Sequence, residues 1–253
     1  MRFFPNSLAR IFVPQENIRE GKVILSPAEA RYLVRVLRLK QGEQITIFDN
    51  SGRECLIVLE KTSFRGVEGR ILSEKKIDRD PSKKITLLAA LLKGEKFNWI
   101  VQKSTELGVS QIVPLETQYT VVHLNSARVR EKISRWQKIA QEAARQSGRT
   151  SIPEIHFPWT LLESFAVVKE VDLAIIPWES EESLYLRDLL TRECIWEKVA
   201  LFIGPEGGFT PEEIRKAREA GLIPVSLGSR ILRAETAALA AMATILYVGG
   251  DLG

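Results

Sequence analysis

The feature that most constrains this chain is an alternation. Between residues 85 and 248, the short apolar runs ITLLAALL, SQIVPLE, VDLAIIP, VALFI and IPVSL are separated by stretches with helical periodicity. Those stretches lie near 95 to 107, 126 to 147, 160 to 169, 182 to 194, 211 to 220 and 236 to 248. Near-continuous apolar runs suit strands buried on both faces, and their alternation with helices predicts a mainly parallel sheet with helices on both sides. In RVREKISRWQKIAQEAARQ, residues Val129, Ile133, Trp136, Ala140 and Ala143 recur at steps of three and four, the stripe of an amphipathic helix. At 253 residues, 45% hydrophobic and 27% charged, the chain can bury substantial cores.

The region before this alternation has a different texture. Residues 1 to 72 read as a small β-rich module, with the runs KVILS, EQITIF, ECLIVLE and GVEGRIL separated by turns. Ser26, Pro27 and Glu29 carry the grammar of a capping box and predict a helix over AEARYLVRVLRL, with Tyr32, Leu33, Val36 and Leu37 as its apolar stripe. Arg31, Arg35 and Arg38 follow at i, i+4 and i+7 and are expected on one helical face. The module holds 12 Lys and Arg against 8 Asp and Glu, which accounts for the whole net charge of +4. A basic face on such a module favours contact with phosphate backbone, the alternative being a solvated surface. The hydrophilic KKIDRDPSKK, 75 to 84, marks a boundary, giving domains at 1–72 and 73–253.

Several chemistries lack their usual parts. Cys55 and Cys194 are far apart, and His123 and His156 complete no zinc spacing, so no metal site is expected. There is no P-loop, dinucleotide-binding glycine motif or serine nucleophile elbow. The longest mostly apolar stretch, TAALAAMATILYV, is too short to cross a bilayer, and MRFFPNSLAR has no apolar core of signal-peptide length. A cytoplasmic protein is expected.

Polar residues without an evident folding role concentrate at three places. In GPEGGFTPEE, residues 204–213, Thr210 fits an N-cap, Pro211 the first helical position and Glu213 the reciprocal capping partner. The glycines before them follow a strand, where open α/β sheets bind ligands, or else serve only to reverse the chain. In LGSRILRAETAALAAMA, 227–243, a loop with Arg230 and Arg233 leads into a helix starting near Glu235 or Thr236, rich enough in alanine to pack closely. In QSGRTSIPEI, 146–155, Gln146 and Arg149 follow the long amphipathic helix, at a simple helix stop or at a binding surface.

Together these segments resemble the RsmE-type 16S ribosomal RNA uracil-N3 methyltransferases of the SPOUT superfamily. The resemblance is carried by VRVLRLKQGEQITIFD, KGEKFNWIVQKSTELGV, RWQKIAQEAARQSGR, IGPEGGFTPEE and LGSRILRAETAALAA, in order, over nearly the whole chain. Asn98 and the pair Arg31-Tyr32 depart from the family pattern. The resemblance implies a PUA-like RNA-binding module followed by an α/β methyltransferase domain with a C-terminal trefoil knot, working as a homodimer on 16S ribosomal RNA within the small subunit. It implies S-adenosylmethionine held by IIPWE, GPEGG and LGSRILR, that is by Ile176, Pro177, Ile203, Gly204, Pro205, Gly207, Gly208, Leu227, Gly228, Ile231, Leu232, Glu235 and Thr236. Arg233 is the candidate for stabilising charge on the uracil, and Glu206 or Glu235 for accepting its proton. Arg10, Arg31, Arg35, Arg38, Gln146 and Arg149 form the candidate RNA-binding set. A methyltransferase acting on another RNA site and a non-catalytic RNA-binding protein are the competing readings.

Overall fold

The computed structural model describes residues 9–63, 66–77, 79–122, 126–192 and 196–253, so His123 and Cys194 lie outside the described residues. The chain forms two compact units, one of Met1–Asp80 with Ala144–Ile152, the other of Pro81–Ala143 with Pro153–Gly253.

In the first unit, β1 (Arg10–Phe12), β2 (Ile18–Arg19), β3 (Lys22–Leu25), β4 (Gln44–Phe48), β5 (Arg53–Ser63) and β6 (Gly66–Lys76) form one sheet in the order β1-β4-β5-β6-β3-β2. All neighbours pair antiparallel except β1 with β4. Alternation sets the faces: Cys55, Ile57 and Leu59 of β5 point inward and meet Val23, Leu25, Ile45, Ile47 and Val67 in one core. Burial pushes the Cys55 thiol up to about 11, which makes it an inert packing group at neutral pH.

The capping box at Ser26 forms as expected: Ser26 Oγ accepts from Glu29 N–H, and Glu29 Oε2 accepts from Ser26 N–H at 2.7 Å. The α-helix it starts, α1 (Pro27–Arg31), is only one turn and a half long; Tyr32–Val36 continue as a π-helix, and Arg38 has a left-handed φ of 57°. Arg31, Arg35 and Arg38 are all exposed, but they do not share one α-helical face, because the wider winding breaks the 100° spacing per residue and Arg38 lies beyond the helix. For the same reason Val36, expected in the apolar stripe, is 65% exposed, while Ala30 and Leu33 enter the core.

Residues 144–152, at the end of the helix α3 (Ser126–Ser147), are held in this unit by two arginines. Arg10 pairs with Glu54 at 2.8 Å and donates to the carbonyls of Ala144, Arg145 and Arg149, so its guanidinium caps the carbonyls left free at a helix end. Arg149 is only 5% exposed and is spent on Asp80 Oδ1 at 2.6 Å and Ser151 Oγ at 3.0 Å. Both side chains are internal ties of this unit. Gln146 is exposed on the same helical turn.

The second unit is the parallel sheet. Its strands are β7 (Lys84–Ala90), β8 (Gln111–Glu116), β9 (Glu154–Ile155), β10 (Trp159–Thr160), β11 (Leu173–Pro177), β12 (Lys198–Ile203) and β13 (Ile223–Val225), in the order β10-β8-β7-β12-β11-β13 with β9 also on β8. Every pairing is parallel. The central strands are buried on both faces, as in β12, where Val199 to Ile203 are all buried. One face packs Leu88, Val113, Ile176 and Phe202 against Leu161 of α4 (Leu161–Ser164) and Ile214 and Ala217 of α6 (Pro211–Glu219). Elsewhere α7 (Ala234–Val248) packs on β12 and on α2 (Lys96–Leu107) and α5 (Leu186–Arg192). Among the described residues no helix is long and apolar enough to cross a membrane.

Breaking a buried ion pair strands the remaining charge, which costs about 3–5 kcal/mol. Arg149→Ala is therefore expected to destabilise the first unit by about 3 kcal/mol in urea denaturation, with RNA affinity of the folded protein unchanged. A loss of RNA affinity at wild-type stability would contradict this role.

Candidate active site

A parallel sheet puts the carboxyl ends of its strands on one edge, so the segments after β7, β8, β11, β12 and β13 meet there. The order also contains a switch: from β7 the chain moves to β8 on one side, and from β12 it moves past β11 to β13 on the other. Diverging connections of this kind leave a crevice between the two strand ends.

The loop after β12 occupies that position. Gly204 and Pro205 are buried, Glu206 and Gly207 exposed, and Gly208 N–H donates to Pro205 O at 3.0 Å to close a tight turn. Gly208 has a φ of 70°, and a Cβ there would sit 2.5 Å from Glu179 Oε1, so both backbone conformation and the approach of the loop after β11 require glycine. On the other side the ring-bearing Cβ of Tyr119 lies 3.1 Å from where a Cβ of Gly207 would be.

Behind the loop, α6 begins where Thr210 Oγ1 accepts from Glu213 N–H, and Glu213 Oε2 accepts from Thr210 N–H at 2.9 Å. The second oxygen of Glu213 accepts from Gln118 N–H at 2.8 Å, so one carboxylate fixes both the helix start and the turn after β8. In front of the loop Lys96 Nζ donates to Glu206 Oε1 at 2.9 Å, bridging the ends of β7 and β12. Partial burial works to raise the Glu206 carboxyl, but the hydrogen bond from Lys96 and backbone N–H donors outweigh it and hold Glu206 below the usual glutamate range. Such a carboxylate is a weak proton acceptor.

The remaining segments join through backbone. Ile176 and Pro177 stand in register with Pro224 and Val225, and Trp178 N–H donates to Val225 O at 3.0 Å. Ser226 exchanges hydrogen bonds with Leu184 O and Leu186 N–H. Leu227 and Leu232 are half-buried, Gly228, Arg230 and Arg233 are exposed, and Ile231 is 86% exposed. Gly228 has a φ of 114° with open space where a Cβ would point.

The helix α7 starts at Ala234, slightly earlier than the sequence suggests, with Arg233 at the N-cap making no side-chain cap. The first N–H groups of α7 therefore have no capping side chain among the described residues. Thr236 is exposed, whereas Glu235 Oε2 is buried without a hydrogen-bond partner among the described residues.

The structure thus brings the candidate cofactor residues to one sheet edge. The candidate RNA residues Arg10, Arg31, Arg35, Arg38, Gln146 and Arg149 all belong to the first unit. Tyr119 lies outside every segment named from the sequence, while Lys96 and Glu179 lie within such segments, KGEKFNWIVQKSTELGV and IIPWE, without being singled out. A signal existed for Lys96, because a cation in the first turn of a helix opposes the helix dipole and calls for a nearby carboxylate. Cavities of about 550 and 420 Å³ lie along α3 and share no lining residue with the edge loops; volume alone does not mark chemistry, and the unpartnered carboxylate and glycine-lined backbone point to the edge. No group of three or more metal-ligating side chains occurs among the described residues.

Residues 79–246 match the RNA methyltransferase domain family, and residues 25–72 match the RNA methyltransferase PUA domain. The fold and its edge loops are therefore those of an RNA methyltransferase carrying a PUA domain. The ribosomal RNA small subunit methyltransferase E of Bacillus subtilis is 30% identical over 94% of each chain. A methyltransferase of Legionella pneumophila, solved with the cofactor SAM bound, is 35% identical with a TM-score of 0.85, over 95% of this chain and 97% of the other. The ribosomal RNA small subunit methyltransferase E of Neisseria gonorrhoeae, solved with S-adenosyl methionine, is 33% identical with a TM-score of 0.84 over the same shares. The chain belongs to the ribosomal RNA small subunit methyltransferase E family.

Removing Lys96 leaves burial less opposed at Glu206. In Lys96→Met the Glu206 carboxyl is expected to titrate at higher pH than in the wild type, read by carbon-13 NMR of the glutamate side chains. An unchanged titration would contradict the bridge.

Proposed function

We infer that this chain methylates N3 of a uridine in 16S ribosomal RNA of the small ribosomal subunit, using S-adenosylmethionine. The observation that carries the reading is the braced GPEGG loop at the switch between β7 and β12, in a chain of this family. The residues present fit the cofactor. Glu235 Oε2 is an acceptor in need of a donor, which an amine or hydroxyl of the ligand supplies. Gly228 leaves open space, and the glycine-rich turn lets a ligand approach the backbone closely. Ile176, Pro177, Ile203, Gly204, Pro205, Gly207, Gly208, Leu227, Gly228, Ile231, Leu232, Glu235 and Thr236 are the proposed contacts.

S-adenosylmethionine, when bound, supplies the electrophilic methyl group; the chain's own residues orient the uracil and ease loss of its imide proton to solvent water. Arg233 is exposed beside the cofactor loops with no partner among the described residues, so its charge is available to a carbonyl of the anionic ring. Glu206, held anionic and tied to Lys96, is better suited to fixing that lysine at the edge than to taking a proton. Most of the rate gain then comes from positioning.

In the first unit, Arg31, Arg35 and Arg38 are exposed where phosphates can reach them, whereas Arg10 and Arg149 hold the scaffold. A homodimer is supported by α7, whose outward Thr236, Ala240, Thr244 and Tyr247 form an uncharged stripe with Tyr247 69% exposed. The trefoil knot belongs to the same reading, as do action in the cytoplasm, where the small subunit is found, and chemistry without a metal.

Arg233→Ala separates chemistry from binding. The variant is expected to bind cofactor and RNA as the wild type does while its single-turnover methylation rate falls about 100-fold. A wild-type rate in the variant would exclude Arg233 from the chemistry.

A further inference from the structure

The second unit has another concave surface that this reading does not use. A cavity of about 420 Å³ runs along α3, lined by Arg130, Ile133, Gln137, Lys138, Gln141 and Phe157 among others. Its neighbour of about 550 Å³ is of mixed charge: Glu131 and Glu142 line it, and its Arg135 already pairs with Glu95 at 2.6 Å. The Phe157 groove has cations and neutral groups but no carboxylate in its lining among the described residues. Arg130 and Lys138 are exposed and make no ion pair among the described residues. Eight residues apart on one helix, they stand about 12 Å apart along its axis.

Phe157 is 58% exposed. One exposed aromatic ring is ordinary, but the chain just before this one is tied down. His156 N–H donates to Ile112 O at 3.0 Å just before it, and Gln137 of α3 donates to Pro153 O at 3.1 Å. The groove thus offers an exposed aromatic face on an anchored segment, side-chain amides and two available cations. A ligand that satisfies all of these has regularly spaced negative charge and planar apolar faces. Unpaired nucleotides have both, whereas a duplex hides its base faces in the stack.

We propose that the groove between α3 and Phe157 holds a single-stranded segment of the RNA substrate, flanking the nucleotide that reacts. Arg130 and Lys138 take the phosphates, and Phe157 stacks on a base. This rests on the reading of the chain as an RNA methyltransferase and adds a second RNA surface to that of the first unit.

The test uses the full chain, fluorescence anisotropy and a short labelled oligouridylate. Phe157→Ala is expected to bind it about tenfold more weakly with an unchanged salt slope, and Phe157→Trp to retain wild-type affinity. Replacing Arg130 and Lys138 together by alanine is expected to flatten the slope of log affinity against log salt by about 1.4, or about 0.7 for each phosphate no longer neutralised. Affinity for a blunt RNA duplex should not respond to Phe157→Ala. The proposal is overturned if Phe157→Ala binds the oligouridylate normally, or if it weakens oligouridylate and duplex alike. It is also overturned if the substitution instead disrupts self-association, which makes the face a protein interface. S-adenosylmethionine affinity and melting temperature, which this exposed residue should leave unchanged, control for folding. Methylation of small-subunit RNA by the wild type keeps the activity reading standing whichever way the groove behaves.

Discussion

Parallel pairing in the second unit is the constraint on which the candidate site depends. Because β7, β8, β11, β12 and β13 all run the same way, segments scattered between residues 91 and 233 must emerge on one edge. Burial on both faces holds the strands in register: a slip of one residue in β12 would exchange the face that Phe202 fills with the face toward which Leu201 points. The edge is therefore set by the two cores rather than by any contact among the loops.

The loops are then locked locally by a few polar groups. Glu213 uses both carboxylate oxygens, one to complete the cap of α6 and one to hold Gln118 N–H. Lys96 and Glu206 close the opposite side, and Glu179 lies against Gly208. These contacts order the backbone of the glycine turn before any ligand arrives, and a pre-ordered turn avoids part of the entropy of ordering that binding otherwise costs. The N-terminus of α7 is the exception. It has no capping side chain among the described residues, and Glu235 Oε2, one of two buried side-chain atoms there without a hydrogen-bond partner (the other is His156 Nε2), lies at the proposed ligand site.

Much of this was legible because it depends on local pattern. The five apolar runs became β7, β8, β11, β12 and β13, and the capping boxes at Ser26 and Thr210 formed as the residue types dictate. What was not legible is set by partners remote in sequence or by winding. Arg149 reads as a polar helix stop, yet it is buried because Asp80, 69 residues earlier, supplies the opposing charge. Arg10 gives no sign that it caps α3 more than a hundred residues later. The expected helical face of Arg31, Arg35 and Arg38 fails at the π-helical turn, since periodicity assumes the very winding that changes there. The start of α7 was displaced because Arg233 is not a capping residue type.

Amide hydrogen exchange of the full chain with and without S-adenosylmethionine shows whether the carboxyl-edge loops form the cofactor site. Slowed exchange is expected in residues 204–208 and 227–235, with β3 to β6 unaffected. Binding without protection of those two segments, or protection centred on α3 instead, would contradict it.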